Sequence, residues 1–224
     1  MKLNIVSDLH VGGHPHYDKQ LIQAVCDDSE HADVLIIPGD LSVGESVLEP
    51  LRAFSEAYKH VLFVCGNHEL WGEGFPEYRT WLSYEFARDP ALKNSFFLEH
   101  GHCTIQDTLF YGGTMWFSDE AANPARTSGM YDAVPNDEYI KRMVPDFDLI
   151  KRFEGEYGHG HSNKSFLNGL RHPLDRAPDV VISHHMPHNQ AIMPQFAGSA
   201  INKFFYCPEA QDLLEEMENP PKLW

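Results

Sequence analysis

The chain has 224 residues, enough for an α/β domain with a sizeable core, and 42% of them are hydrophobic, as in ordinary soluble proteins. Acidic residues outnumber basic ones by 33 to 17, and the net charge of −16 disfavours nucleic acid as a partner because such a surface repels a phosphate backbone. The four cysteines form no C-x-x-C pair, which excludes a zinc ribbon, a redox motif or a disulfide framework. No apolar stretch has the length of a membrane span and the first residues leave no room for a signal peptide, so we expect a soluble, cytoplasmic protein.

The first third of the chain alternates short apolar runs with amphipathic segments. Residues 3–6, 34–37 and 61–65 have the length and composition of buried strands. Between them, apolar residues recur at helical spacing over residues 17–29 and 48–58, with Pro50 tolerable only near a first turn. A strand–helix–strand–helix–strand order is typical of βαβ units, so we predict an α/β fold with a parallel sheet.

The rest of the chain is predicted less regularly. Apolar runs at residues 110–116 and 180–182 indicate two further strands, and helices are predicted near residues 137–153, 162–170 and 208–217. The polar stretch at residues 118–176 has the length of a functional insertion that shapes a substrate pocket. Because the sequence contains no repeat and no linker, we predict a single domain over residues 1–224.

Polar side chains follow four of the predicted strands at the point where each strand ends. In α/β sheets, ligands bind beyond the carboxyl ends of the strands, so these side chains are expected to lie close together. Each motif alone is more typical of a tight turn or a helix cap, but the four in this order predict a metal site. In chain order the motifs are Asp8-Leu9-His10, Gly39-Asp40, Gly66-Asn67-His68-Glu69 and Ser183-His184-His185.

The side chains in these motifs suit a pair of hard or borderline divalent cations. Carboxylate, imidazole and amide oxygen ligands favour manganese, iron or zinc over thiophilic metals. A single carboxylate such as Asp40 can bridge two cations, which then lower the pKa of a shared water. We therefore predict two divalent metal ions, manganese in the first place, with iron or zinc as alternatives.

Together with Met186-Pro187, these blocks resemble successive motifs of the calcineurin-like metallophosphoesterases, and the resemblance runs from residue 3 over most of the chain. It implies a β-sandwich flanked by helices. It also implies hydrolysis of a phosphate mono- or diester by a hydroxide that bridges the two metals. The implied substrate is a small phosphate ester or a phosphorylated compound.

The resemblance also implies roles for individual residues. Asp8 and His10 would hold the first metal, and Asp40 would bridge the two. Asn67 and one histidine of the pair His184–His185 would hold the second metal, with His184 favoured because it lies nearer the strand end.

A further role concerns the leaving group. By resemblance, His68 would be the general acid that protonates the leaving oxygen. Its imidazole would be oriented by Asp8 or by Glu69.

The sequence departs from the family pattern near its end. The family's Gly-His-x-His block, which supplies one histidine to each metal, does not follow residues 221–224, although these look like the strand that precedes it. We therefore expect a sandwich without its last strands and a first metal that is loosely held or absent. Gly158-His159-Gly160-His161 has the letters of the block but not its position, so we predict a flexible loop there; ligation by His159 or His161 is the alternative.

The missing block leaves a second interpretation of the function open. The chain would then be an impaired or truncated relative that acts as a binding or scaffold module. The intact Asp8, His10, Asp40, Asn67 and His68 favour the enzyme instead. An exposed sheet edge at the place of the missing strands would also favour a homo-oligomer.

Overall fold

The computed structural model describes residues 1–117, 141–172 and 176–224. The strands of this part form a four-stranded and a three-stranded sheet. In chain order the strands are β1 (Leu3–Ile5), β2 (Val34–Pro38), β3 (His60–Val64), β4 (Ser95–Phe97), β5 (Gly101–Ile105), β6 (Thr108–Gly113) and β7 (Val180–Ser183). The α-helices of the same part are α1 (Pro15–Asp27), α2 (Leu48–Ala57), α3 (Phe75–Arg88), α4 (Asp146–Leu149), α5 (His159–Arg171) and α6 (Pro208–Glu216).

The first sheet is parallel throughout, in the order β1-β2-β3-β4. Each of its connections contains a helix, as parallel neighbours require, because a tight hairpin cannot join them. Strand β2 is buried over Val34–Ile37 on both faces, which explains its continuous apolar sequence. The predicted βαβ arrangement of the first 70 residues is confirmed.

The second sheet is mixed, in the order β5-β6-β7. Strands β5 and β6 form an antiparallel hairpin around a two-residue turn, whereas β7 runs parallel to β6. The carboxyl ends of β6 and β7 therefore lie at the same edge of the sheet. There the carbonyl of Thr114 accepts a hydrogen bond from the backbone amide of His184 over 3.2 Å. The hairpin and the parallel strand together place the fourth polar motif.

The two sheets pack face to face between helices, which gives four layers. Ile36, Val64, Phe110 and Ile182 belong to the buried cluster between the sheets. The other face of the first sheet packs against α1, α2 and α3, and the other face of the second sheet packs against α5 and α6. This is the predicted α/β architecture of packed sheets flanked by helices.

Two predictions for the second half of the chain are wrong. Of the predicted helix 137–153, residues 137–140 lie outside the described part, and from 142 onward only Asp146–Leu149 is helical. Pro145 cannot donate a backbone hydrogen bond, and Arg152 has a φ of 58°, so a longer helix is interrupted on both sides. The segment that begins at Gly158 is not a loop, because Gly158 is the N-cap of α5 and His159 begins the helix.

The remaining elements agree with the sequence to within a few residues. Helix α6 confirms the prediction at 208–217, and α5 extends the one at 162–170 toward its N-terminus. Leu223 forms a single parallel bridge with Val180, so the segment at 221–224 runs beside β7. Within the described residues, none of the helices is long and apolar enough to cross a membrane.

Replacing Gly112 by alanine tests the contact between the sheets. A Cβ at this position would lie 2.8 Å from Cγ1 of Val64 and 2.9 Å from Cβ of Leu98, closer than packed carbon atoms allow. We expect Gly112→Ala to lower the free energy of unfolding by about 1–3 kcal/mol in urea denaturation. Gly13→Ala is the matched control, since a Cβ there meets nothing within 4 Å; equal stability of the two variants would contradict the prediction.

Candidate metal centre

The four polar motifs converge around the carboxylate of Asp40. Its Oδ2 lies 3.7 Å from Nε2 of His10 and 3.8 Å from Nε2 of His68. Its Oδ1 lies 3.6 Å from Nε2 of His184, which comes from the other sheet. Asp40 is 4% exposed, whereas the side chain of Asp8 is 58% exposed, so the cluster has a buried centre and an open side.

The loops that follow β1 and β2 run side by side and fix each other. The amide of Asp8 donates to the carbonyl of Gly39, and the amide of His10 donates to the carbonyl of Asp40 over 3.0 Å. Asp8, His10 and Asp40 all have left-handed backbones, with φ of 57°, 47° and 54°. Such conformations cost on the order of 1–3 kcal/mol each and persist only where surrounding bonds hold them, which is common at functional sites.

A buried glutamate joins the loop that follows β2 to the loop that follows β3. The carboxylate of Glu69, which is fully buried, accepts hydrogen bonds from the amides of Asp40, Leu41, Ser42 and Gly66 over 2.6–3.0 Å. Burial raises the pKa of Glu69 to about 7, aided by the nearby Asp40 carboxylate and opposed by the amide donors. Glu69 therefore shapes the loop that carries Asp40 and leaves its own oxygens directed at the backbone.

The third loop approaches the second so closely that Gly66 cannot carry a side chain. A Cβ on Gly66 would lie 2.1 Å from Oδ1 of Asp40. The space that glycine leaves lets the amide of His68 donate to the same oxygen over 3.0 Å. The glycine of the third motif is thus explained by the position of the Asp40 carboxylate.

The histidine pair at the end of β7 divides into two different environments. Nδ1 of His184 lies 2.8 Å from the carbonyl oxygen of Pro38 and donates to it, so in the neutral tautomer Nε2 carries the lone pair that a metal ligand needs. His185 is 3% exposed and packs against the rings of Trp116 and Phe205. Burial lowers the pKa of His185 well below its usual value, so it stays neutral. The geometry favours His184 of the two.

Asn67 is oriented by a residue that the sequence did not single out. Its Nδ2 donates to Oδ1 of Asp146 over 2.9 Å, and the indole of Trp71 donates to the same oxygen over 2.8 Å. Asp146 is 2% exposed and begins α4, inside the predicted insertion. Because a carboxylate accepts the amide hydrogens, Oδ1 of Asn67 points to Nε2 of His184, 3.1 Å away.

Three potential metal-ligand atoms therefore meet at this point. They are Nε2 of His184, Oδ1 of Asn67 and Oδ1 of Asp40. A divalent cation between them would be held by all three atoms. The donor set of two oxygens and one imidazole nitrogen fits manganese, iron or zinc.

His68 is held by ring contacts rather than by a carboxylate. Its ring stacks on Trp71 at a centroid distance of 3.6 Å and meets the ring of His10 at 4.3 Å. Of the two predicted orienting groups, Glu69 uses its oxygens for backbone amides, and Oδ2 of Asp8 accepts from the Ser7 hydroxyl over 2.6 Å. Burial lowers the pKa of His68, and the Asp40 carboxylate opposes that shift.

Two groups of side chains in the described part of the chain have their ligand atoms within 4.8 Å of one another. One contains His10, Asp40 and His68, and the other contains Asp8, Asp40 and His184. Asp40 belongs to both, as a bridging ligand would. The groups pair the outer residues differently from the predicted assignment, so the roles of Asp8, His10, Asp40, Asn67, His184 and His68 stay predictions.

Comparison with known proteins identifies the family. A family model of calcineurin-like phosphoesterases matches residues 1–216. The chain belongs to this family. The chain is also similar in structure to the phosphopantetheinyl hydrolase PptH of Mycobacterium tuberculosis, with a TM-score of 0.65 and 16% sequence identity over 95% of this chain and 77% of that one. No curated protein sequence matches the chain significantly.

His159 and His161, the alternative metal ligands of this phosphoesterase, belong to neither of the two groups found among the described residues. Nδ1 of His159 lies 2.8 Å from the carbonyl oxygen of Phe153, and its buried ring stacks on the ring of Phe153. His161 is exposed and contacts the ring of Tyr157. The helix that begins at His159 thus uses its first histidine for packing.

Replacing Asp146 by alanine tests whether its hydrogen bond orients the side chain of the predicted metal ligand Asn67. Asp146→Ala leaves the amide of Asn67 and the indole of Trp71 without their shared acceptor, so the amide oxygen loses its fixed direction. We expect Mn²⁺ affinity to fall about 10- to 100-fold in calorimetric titration. Asp148→Ala, an exposed position in the same helix, is the control, and unchanged affinity in Asp146→Ala would overturn the positioning role.

Glu69→Gln tests the backbone hydrogen bonds that hold the loop carrying Asp40. The amide nitrogen of glutamine would face backbone donors, so at least one of the four bonds would be replaced by a clash between donors. We expect the free energy of unfolding in urea to fall by about 2–4 kcal/mol. The control is Glu73→Gln, and a difference between the two variants below about 0.5 kcal/mol would contradict this role of Glu69.

Proposed function

We propose that this phosphoesterase hydrolyses a phosphate mono- or diester with the help of two divalent cations, manganese being favoured over iron and zinc. Membership of the family supports phosphoester hydrolysis, and calcineurin-like phosphoesterases generally bind two divalent metals. The observation that carries the proposal is the meeting of two groups of potential ligand atoms around the buried Asp40 carboxylate.

The proposed catalytic roles of the residues follow from the positions of their side chains. Two bound cations would lower the pKa of a water and neutralise charge on the phosphate oxygens. Asp40, buried between the two groups of ligand atoms, would hold both cations. His68, partly exposed beside His10, would donate a proton to the leaving oxygen, and stacking on Trp71 would restrict its ring.

A small phosphate ester is the proposed substrate class. The net charge of −16 disfavours a nucleic-acid substrate, because long-range repulsion acts on every phosphate of a polyanion. The similar PptH is a phosphopantetheinyl hydrolase by name, which supports hydrolysis of a phosphate ester by this fold. We further propose a cytoplasmic location, supported by four cysteines that all remain free.

Metal-dependent hydrolysis of bis(p-nitrophenyl) phosphate and of p-nitrophenyl phosphate tests the function. We expect Mn²⁺ to support hydrolysis, chelation by EDTA to abolish it, and Asp40→Asn to remove both the activity and most of the Mn²⁺ binding. His16→Ala, an exposed histidine near the first motif, is the matched control. Folded protein that neither binds Mn²⁺ nor hydrolyses either ester would instead support the binding or scaffold module.

The role of His68 is tested by the dependence of the rate on the leaving group. A general acid matters most for an alkoxide or phenoxide that needs a proton and least for nitrophenoxide, which leaves as an anion. We expect His68→Ala to lower kcat at least ~100-fold for a phenyl ester and much less for the nitrophenyl ester. Equal losses for both esters, together with weaker Mn²⁺ binding, would make His68 a metal ligand instead.

A further inference from the structure

The cavity next to the predicted metal centre has two chemically different sides. It encloses about 680 Å³ and is lined at one side by the predicted ligands and His68. Apolar side chains line most of the remainder, from two separate segments of the chain. They include Met143 and Val144 from the insertion, and Met186, Ile192, Met193, Phe196, Ile201 and Phe205 from the segment that follows β7.

Several of these apolar side chains face solvent. Met143 is 57% exposed, Met193 is 54% exposed and Phe196 is 51% exposed. Single exposed apolar residues are ordinary, but three that line one cavity give it an apolar surface that water solvates poorly. A ligand that covers this surface gains the free energy of removing it from water.

The charged residues that line the cavity disfavour a second anionic group on a ligand that already carries a phosphate. Among the described residues, no lysine or arginine lines the cavity, whereas Asp8, Asp40 and Asp146 do. Among the described lining residues, a second phosphate or a carboxylate on the substrate would therefore meet these carboxylates and no lysine or arginine. A neutral apolar group meets no such penalty.

We infer that the substrate is a phosphate ester of an aliphatic alcohol, whose hydrocarbon chain covers this apolar surface while its phosphate faces the predicted ligands. The inference rests on the proposed function, because the phosphate is what the metal centre would hold. Three of the lining residues are methionines, namely Met143, Met186 and Met193, whose unbranched thioether side chains adapt to a flexible chain better than to one rigid shape. The apolar surface thereby selects the organic part of the substrate.

Binding of alkylphosphonates to the full chain in the presence of Mn²⁺ tests the inference without requiring turnover. Methyl-, propyl- and hexylphosphonate carry the same head group and differ only in buried hydrocarbon. We expect the dissociation constant in calorimetric titration to fall about two- to fourfold per added methylene. The heat-capacity change of binding is expected to become more negative along the series.

A double substitution locates the effect. Met193→Ala with Phe196→Ala is expected to remove most of the dependence on chain length, because both side chains belong to the apolar lining of the cavity. Tyr84→Ala is the matched control, since Tyr84 is an aromatic residue that is 62% exposed and does not line this cavity. Circular dichroism would verify that all variants are folded.

The outcomes separate the inference from the proposed function. Affinity that rises with chain length, without hydrolysis of any ester, would overturn the hydrolytic function and support the inferred ligand class. Hydrolysis with equal affinity for all three phosphonates would overturn the inference and leave the hydrolysis standing. Failure of hexylphosphonate to bind, or a slope that survives the double substitution, would also overturn it.

Discussion

The geometry of the centre depends on the buried carboxylate of Glu69. It accepts backbone hydrogen bonds from the loop that carries Asp40 and from Gly66 at the end of β3. Two strand ends that would otherwise be separate loops become one rigid unit, because four orphan amide donors share one acceptor group. The left-handed backbone of Asp40 persists within this unit.

The same constraint explains why the first and third motifs lie where they do. The amide of His10 bonds to the carbonyl of Asp40, and the amide of His68 bonds to its side chain. Asp40 therefore fixes the backbone positions from which both imidazole side chains extend. His184 joins them from the second sheet through its bond to the carbonyl of Pro38, so the packing of the two sheets also sets the distance between its Nε2 and Asp40.

The predicted insertion contributes to both parts of the site. Asp146 turns the amide of Asn67, which would otherwise be free to present its nitrogen to a metal. Its neighbours Met143 and Val144 form part of the apolar surface, so one short segment links the proposed chemistry to the proposed choice of substrate. This arrangement is consistent with long loops carrying function on a rigid scaffold.

Regular periodicity made the first half of the fold predictable, because buried parallel strands and amphipathic helices leave different apolar patterns. Around Asp146 the structure departs from the sequence pattern, since Pro145 and the left-handed Arg152 break a helix that composition alone favours. Likewise, Gly158 and Gly160 suggested a loop, but His159 packs against Phe117 and Phe153 and begins a helix. Tertiary burial overrode a weak local preference in that segment.

The sequence by itself determined the family, the α/β class and the residues that gather around Asp40, because strand ends and motif spacing are local properties of the chain. The sequence also favoured His184 over His185, and the tertiary structure added the contact of His184 with Asp40. Only the tertiary structure decided that Asp146 orients Asn67 and that an apolar surface adjoins the centre. These features depend on contacts between segments far apart along the chain, such as Asn67 with Asp146 and Pro38 with His184. Local sequence carries no record of such pairings, since each is set by how the sheets and the insertion pack.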